Sequence, residues 1–402
     1  TSVHWHGLDV PERADGHPRL AVGEGGEYVY DFDATNRAGT YWYHPHPHMR
    51  TAAQVYRGLA GLLLVTDPEE EALGLPSGSG ELTWVIQDRR FDPRNQLVYA
   101  SARGDETMRG GRGRGMGRGM GGMAQMMETV NGWLGDHVLV NGRLHPTLDL
   151  VRRTYRVRLL NGSNARIYKL AWDDATPFTV IGGDGGLLER ARLMRTLTLA
   201  PGQRADVVLD LSDRPAGTAL RLRSLAYPGD AVGRVGMGDS SPLPQGALIE
   251  ILTLKVSSAT GPKVRIPDRL CTPPDRWRSD PAAPVRRVPL TFMHMEWLLG
   301  GRTFEMDSVA RDETVAPGST HVWEFRNEPN PMGMAMAHPI HVHGPQFRVL
   351  SRTGAAGNAL AEGIVDTAAT DTVLVLPGET VRVQLTFSRH PGLYLYHCHL
   401  LE

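Results

Sequence analysis

Histidine placement constrains this chain more than any other feature. Sixteen histidines in 402 residues would give fewer than about one His-x-His pair by chance, yet five occur. They fall in four clusters: His4-Trp5-His6-Gly7, His44-Pro45-His46-Pro47-His48, His338-Pro339-Ile340-His341-Val342-His343-Gly344 and His397-Cys398-His399. A single pair would be weak evidence, because exposed or hydrogen-bonded imidazoles explain it. Four clusters in one chain reverse that balance. In a strand, residues i and i+2 project to one face. The pairs His4/His6, His44/His46, His341/His343 and His397/His399 therefore each aim two imidazoles at one point. Eight nitrogen donors are too many for one tetrahedral ion and suit a cluster of several metals. Imidazole alone does not choose between copper, zinc and iron.

Parity within the last two clusters separates a second site. Cys398 lies between His397 and His399 and must point to the opposite face of its strand. His338 is offset by three from His341, so it also faces away from His341 and His343. One thiolate and one imidazole are thus directed to a separate metal. A thiolate with imidazoles is the donor set of a blue-copper electron-transfer site, which selects copper. Cys398 is joined through its backbone to both neighbouring histidines. With adjacent Cα atoms about 3.8 Å apart, the two centres are expected on the order of 10 Å from each other. A one-electron centre wired to a multinuclear one collects electrons singly and delivers them together.

The rest of the chain reads as short strands, among them Glu27–Phe32, Gly61–Val65, Tyr155–Leu160, Ala205–Leu211 and Thr380–Phe387. Turn signals such as Ala200-Pro201-Gly202 and Leu376-Pro377-Gly378 separate them. Evenly spaced short strands with few helical periods predict an all-β chain of β-sandwiches. Two phrases echo each other, LAPGQRADVVLDL at 199–211 and VLPGETVRVQLTF at 375–387, as related sandwiches would. Polar, Gly/Pro-rich connectors at 66–80 and 257–286 divide the chain into 1–72, 73–256 and 257–402. The first segment is too short for a complete sandwich.

Composition excludes several function classes. With 41% hydrophobic and 22% charged residues and a net charge of −1, no global field favours nucleic acid, an acidic substrate or a membrane surface. No apolar run approaches the ~18 residues of a membrane span. Two cysteines exclude a disulfide scaffold, and Cys271 reads as a free thiol. The low-complexity stretch Arg103–Met127 reads as a flexible loop, since ordering so much glycine is entropically costly. Its methionines 116, 120, 123, 126 and 127 leave transient binding of a soft metal open.

At this point the sequence resembles a known family, the multicopper oxidases of the three-cupredoxin type, and within it the bacterial copper-efflux and laccase-like group. The phrases HWHGLDVPERADG, GTYWYHPHPH…GLAGLLLV, HPIHVHGPQFRVL and YHCHLLE carry the likeness, as does the ligand-free stretch GWLGDHVLVNG…RVRLLNGSNAR. The resemblance implies tandem cupredoxin-like Greek-key β-sandwich domains, three in number with the first incomplete. It implies four coppers. His4 and His341 would hold a type 2 copper, and His6, His44, His46, His343, His397 and His399 a type 3 pair. His338 and Cys398 would hold a type 1 copper. Electrons would pass through Cys398 and His397/His399 to the cluster, where dioxygen is reduced to water. His48 shares the parity of His44 and His46 but matches no ligand position. Asp15 matches a carboxylate that moves protons to bound oxygen; a turn residue before Gly16 is the plainer reading. The family pattern continues to a second type 1 histidine one residue beyond Glu402 and has further strands ahead of Thr1, so the chain is expected to be cut at both ends.

The reducing substrate stays open between phenolic or other aromatic donors and Cu(I). Met332, Met334 and Met336 precede His338, and Met336 matches a methionine that binds substrate copper in the copper-efflux group. Thioethers prefer Cu(I), although flexible core filling explains methionines equally well. The family's methionine-rich insert near the C-terminus is not recognisable here. A dedicated cuprous oxidase and a non-catalytic copper-binding protein remain as alternatives, while eight paired histidines argue against a copper nitrite reductase. The resemblance also implies a periplasmic or extracellular location.

Overall fold

The computed structural model describes all residues except 100–127, 129, 234–240, 275–277, 279, 332 and 402. Met332 and the whole Gly/Arg/Met-rich stretch 103–127 therefore lie outside the described residues. The architecture is all-β, with helices limited to short pieces such as Thr51–Tyr56 and Pro68–Glu71. Among the described residues no helix is long and apolar enough to cross a membrane.

Two three-stranded antiparallel sheets carry the histidine clusters. One is built from Val3–His6, Gly39–Pro45 and Gly61–Val65, with His4 opposite His44 and His6 opposite Trp42. The other orders Thr372–Val375, His338–Val342 and Tyr396–Cys398, with His341 opposite His397 and Ile340 opposite Cys398. The predicted parity follows directly, because residues opposite each other in a ladder share a face.

Between these sheets in sequence lie a seven-stranded and a five-stranded sheet that share one apolar core, including Ile86, Val157, Leu170, Val207 and Leu254. Each such fully buried Val, Ile or Leu side chain contributes roughly 1.5–3 kcal/mol. In Thr154–Asn161 and Arg204–Asp210, alternate residues turn the other way and are nonetheless buried, against the N-terminal part of the chain. There Arg156 pairs with Glu70 at 2.8 Å and Asp206 at 2.6 Å, and Arg158 reaches Asp206 at 3.1 Å and the Thr40 hydroxyl at 3.0 Å. A buried network of this kind adds little net stability, but removing one partner strands a charge. A second core, including Val288, Phe325, Ile340, Val373 and Val383, packs the C-terminal five-stranded sheet against the strands of the second three-stranded sheet.

The echoed phrases adopt the same structure. Leu197–Leu199 and Thr372–Val375 each enter a Pro-Gly turn, and Arg204–Asp210 and Thr380–Thr386 leave it. Gly202 and Gly378 have φ of 83° and 74°, and Gln203 and Glu379 donate back to Ala200 and Leu376. Proline followed by a glycine at positive φ is the type II turn signature.

Three local expectations change. Glu27–Phe32 forms no strand: Tyr30 instead takes the Val3 N–H on its hydroxyl and packs with Phe32 around Trp5. Leu193–Leu199 alternates as a single strand would, but it is divided between Gly186–Met194 and Leu197–Leu199, which lie in different sheets. Helices Thr51–Tyr56 and Pro68–Glu71 have no periodic signal, being too short to show one. Cys271 is buried and unbridged, its thiol donating to the Leu187 carbonyl at 3.2 Å.

Candidate metal centre

The two three-stranded sheets bring all eight paired histidines together. Three groups of imidazoles have ligand atoms within 4.8 Å of one another: His4, His6 and His341; His6, His44 and His399; His46, His343 and His397. The distances separate a pair from two triads. His4 Nε2 faces His341 Nε2 at 3.2 Å, while His6 Nδ1 lies 3.4 Å from His44 Nε2. His397 Nε2 lies 3.2 Å from His46 Nε2 and 3.1 Å from His343 Nε2. Bonds from a metal to imidazole are about 2.0–2.1 Å, so nitrogens at these separations can share an ion.

The outward nitrogens explain which atoms face inward. Nδ1 donates to the Asp15 carbonyl from His4 (2.8 Å), to the Asp371 carbonyl from His341 (2.8 Å) and to the Asp15 carboxylate from His343 (2.8 Å). His44 and His397 donate in the same way to the carbonyls of Pro45 and Cys398, at 3.0 and 2.8 Å. These bonds fix each tautomer and leave Nε2 bare towards the centre. His6 is turned over: its Nε2 donates to Asp371 Oδ1 at 2.9 Å, which leaves Nδ1 bare. Neither ring nitrogen of His399 finds a hydrogen-bond partner outside its own residue. Facing lone pairs and an orphaned buried imidazole fit a cation and fit little else.

Burial, reinforced by the neighbouring histidines, holds His6, His44, His46, His341, His343 and His399 well below the ordinary imidazole value. His397 is pushed down to about 4, again mainly by burial. Neutral imidazole is the ligating form, so these rings are ready for a metal at neutral pH.

The opposite face holds the second constellation. His338 is buried, its Nδ1 lies 3.4 Å from Cys398 Sγ, and its Nε2 has no partner. Burial pushes His338 down to about 3. Trp297 packs edge-on to this ring at 4.3 Å between centroids. A soft sulfur and a bare imidazole nitrogen at this spacing fit copper.

The other predicted residues take varied places. Asp15 is fully buried, and burial raises its carboxyl above the ordinary range; Oδ1 lies 3.4 Å from His4 Nδ1. Met336 is buried, lining a small cavity with Leu134, Ile167, Val232 and Leu400, and Met334 is half-buried. His48 is exposed beside the Phe304 ring, because the strand has ended at Pro45 and the chain enters a turn at His48.

Four residues around the cluster match no ligand spacing or motif in the sequence: Asp371, Thr372, Arg204 and Asp184. Asp371 holds His6 and, through its carbonyl, His341; Thr372 Oγ1 lies 3.1 Å from His6 Nε2. Burial and the neighbouring Asp371 push Asp184 up to about 6, against the opposing pull of Arg204. The one available hint was charge inside apolar alternation, as in Arg204-Ala205-Asp206.

Comparison with known proteins agrees with this geometry. Family profiles described as multicopper oxidase match residues 1–70 and 280–402. The multicopper oxidase mco of Staphylococcus haemolyticus is 30% identical over 402 residues, covering 100% of this chain and 74% of that protein. A laccase of Bacillus subtilis is 29% identical over 432 residues, covering 100% and 77%. The crystal structure of the McoA multicopper oxidase of Aquifex aeolicus superposes with a TM-score of 0.77 at 33% identity, covering 100% of this chain and 81% of that one. The fold class of these neighbours is the cupredoxin-like β-sandwich.

Proposed function

Since the chain belongs to the multicopper oxidase family, and is a copper-dependent oxidoreductase that uses dioxygen, we propose how its residues divide that work. His4 and His341 hold one copper; His6, His44 and His399 hold a second, and His46, His343 and His397 a third. His338 and Cys398 hold a fourth on the opposite face. The division of the chain into 1–72, 73–256 and 257–402 belongs to the same reading. Copper, when bound, supplies the one-electron chemistry by which a reducing donor is oxidised and dioxygen becomes water.

The observation that carries this reading is the pairing of bare imidazole nitrogens 3.1–3.4 Å apart inside a ring of outward hydrogen bonds. The chain's own residues supply three things. The outward acceptors hold His4, His6, His44, His341, His343 and His397 in their ligating tautomers. Cys398 shares its backbone with His397 and His399, so the path between the two faces is covalent. Asp15, its carboxyl raised above the ordinary range by burial and bonded to His343, is placed to pass protons beside the cluster. Metal analysis and oxygen-uptake assays with a phenolic dye test the reading together. About four coppers per chain, a blue thiolate-to-copper absorption and donor-dependent uptake are expected; copper binding without uptake would favour a storage role.

The donors we propose are phenolic and other aromatic molecules. Cu(I) oxidation, with a role in copper homeostasis, is the second reading; Met334 beside the buried Met336 favours it. A periplasmic or extracellular location rests on the family resemblance. For the proton role of Asp15, Asp15→Asn is expected to lower oxygen-linked turnover by about 10–100-fold with copper content kept. Unchanged turnover would leave Asp15 as a structural hydrogen-bond acceptor only.

A further inference from the structure

Arg204 is buried in a part of the chain that supplies no candidate ligand, yet it touches both histidine-bearing sheets. Its five N–H bonds are all used. Nε donates to the Thr40 carbonyl at 2.9 Å; Nη1 donates to the Gly202 carbonyl at 2.9 Å and to Asp371 Oδ1 at 2.8 Å. Nη2 donates to the Asp184 carbonyl at 3.1 Å and to Asp371 Oδ2 at 2.5 Å. Thr40 lies on the strand that leads to His44 and His46, and Asp371 immediately precedes the strand that pairs with His338–Val342. One guanidinium thus spans the two halves of the cluster, with a bidentate fork on the carboxylate that faces His6.

We propose that Arg204 is the positioning residue of the histidine cluster, acting through Asp371: it aims the carboxylate at His6 Nε2 and so keeps His6 Nδ1 bare for metal. The proposal rests on the copper reading above. His6 is turned opposite to His4, His44, His341, His343 and His397, and Asp371 is the group that turns it. Asp371 Oδ1 also accepts from Thr372 Oγ1 at 2.9 Å, so the carboxylate cannot rotate away from His6 without losing three further bonds. Lysine offers three donors around a point charge and no planar fork, so it cannot reproduce the arrangement.

Two glycines record how closely this clasp approaches the rings. Gly7, directly after His6, has a φ of 91°, and a Cβ there would stand 2.5 Å from Asp371 Oδ2 and 2.8 Å from Arg204 Nη2. Gly202 has a φ of 83°, and its Cβ would stand 3.2 Å from the His399 ring and from His6 Cε1. Both positions must stay bare for the ion pair and its turn to reach the imidazoles.

The test uses the full copper-loaded chain, its Arg204→Lys and Asp371→Asn variants and the double variant. Copper is counted per chain during chelator competition, alongside the blue absorption. Each single change is expected to weaken retention of cluster copper by about 10–100-fold while the blue absorption persists. The double variant should lie within about twofold of the worse single, because both act along one path. Losses that multiply in the double variant would make Arg204 an independent structural brace and overturn the proposal. Retention within twofold of the parent in a folded Asp371→Asn chain would overturn it too, and decides the matter even where Arg204→Lys does not fold. A parent chain that holds no copper would instead overturn the copper reading itself.

Discussion

Cys398→Ser should abolish the blue absorption and cut turnover of a phenolic donor by more than about 100-fold. Loss of a hydrogen-bonding neighbour of a ligand typically brings about 10–100-fold, and Cys398 is both the proposed ligand and the covalent link between the faces. The hydroxyl of serine is a hard, protonated donor that does not replace a thiolate on copper. Copper content should fall by about one per chain, because the ligand atoms of His397 and His399 stay grouped with those of the other cluster histidines. The fold should survive, since Cys398 packs at the margin of the C-terminal core and the replacement is smaller by little. A serine variant that stays blue would show that sulfur is not the ligand.

The second large effect concerns acid. Seven of the eight cluster histidines are held below their ordinary value in the folded, metal-free chain. Unfolded, these rings take up protons as pH falls through 6.5; folded, they resist until well below that, about 4 for His397. The unfolded state therefore binds more protons between these limits, and stability falls with falling pH in that window. A ring displaced by one unit or more costs at least about 1 kcal/mol by pH 5. Several rings together should move the urea midpoint of the copper-free chain steeply downward between pH 6.5 and 5. Copper should flatten the profile, because a bound ion occupies the nitrogen that a proton would take. A copper-free chain with a level urea midpoint across this range would contradict the buried, neutral state of the cluster.

The same contrast between local and distant information governs what could be read in advance. Gly61–Val65 is a strand over those residues, and the parity that sends Cys398 away from His397 and His399 reappears in the ladder opposite Ile340 and His341. Glu27–Phe32 alternates convincingly and pairs with nothing, because its aromatic residues are satisfied by Trp5 and not by a neighbouring strand. His48 shares the parity of His44 and His46 yet stands exposed outside the cluster, because a turn follows the strand before it. Asp371 and Arg204 stood in no recognisable spacing, since their relevance depends on where each other's chains pass.

Strand periodicity and donor type, both properties of neighbouring residues, were enough to predict two metal centres on opposite faces, with copper as the expected occupant. They could not say which nitrogen of each ring is bare. That depended on partners brought together over long distances, such as His4 and His341, 337 residues apart, and His6 and Asp371, 365 apart. A tautomer is selected by the group on the far side of the ring, and only packing of separate sheets puts that group in place.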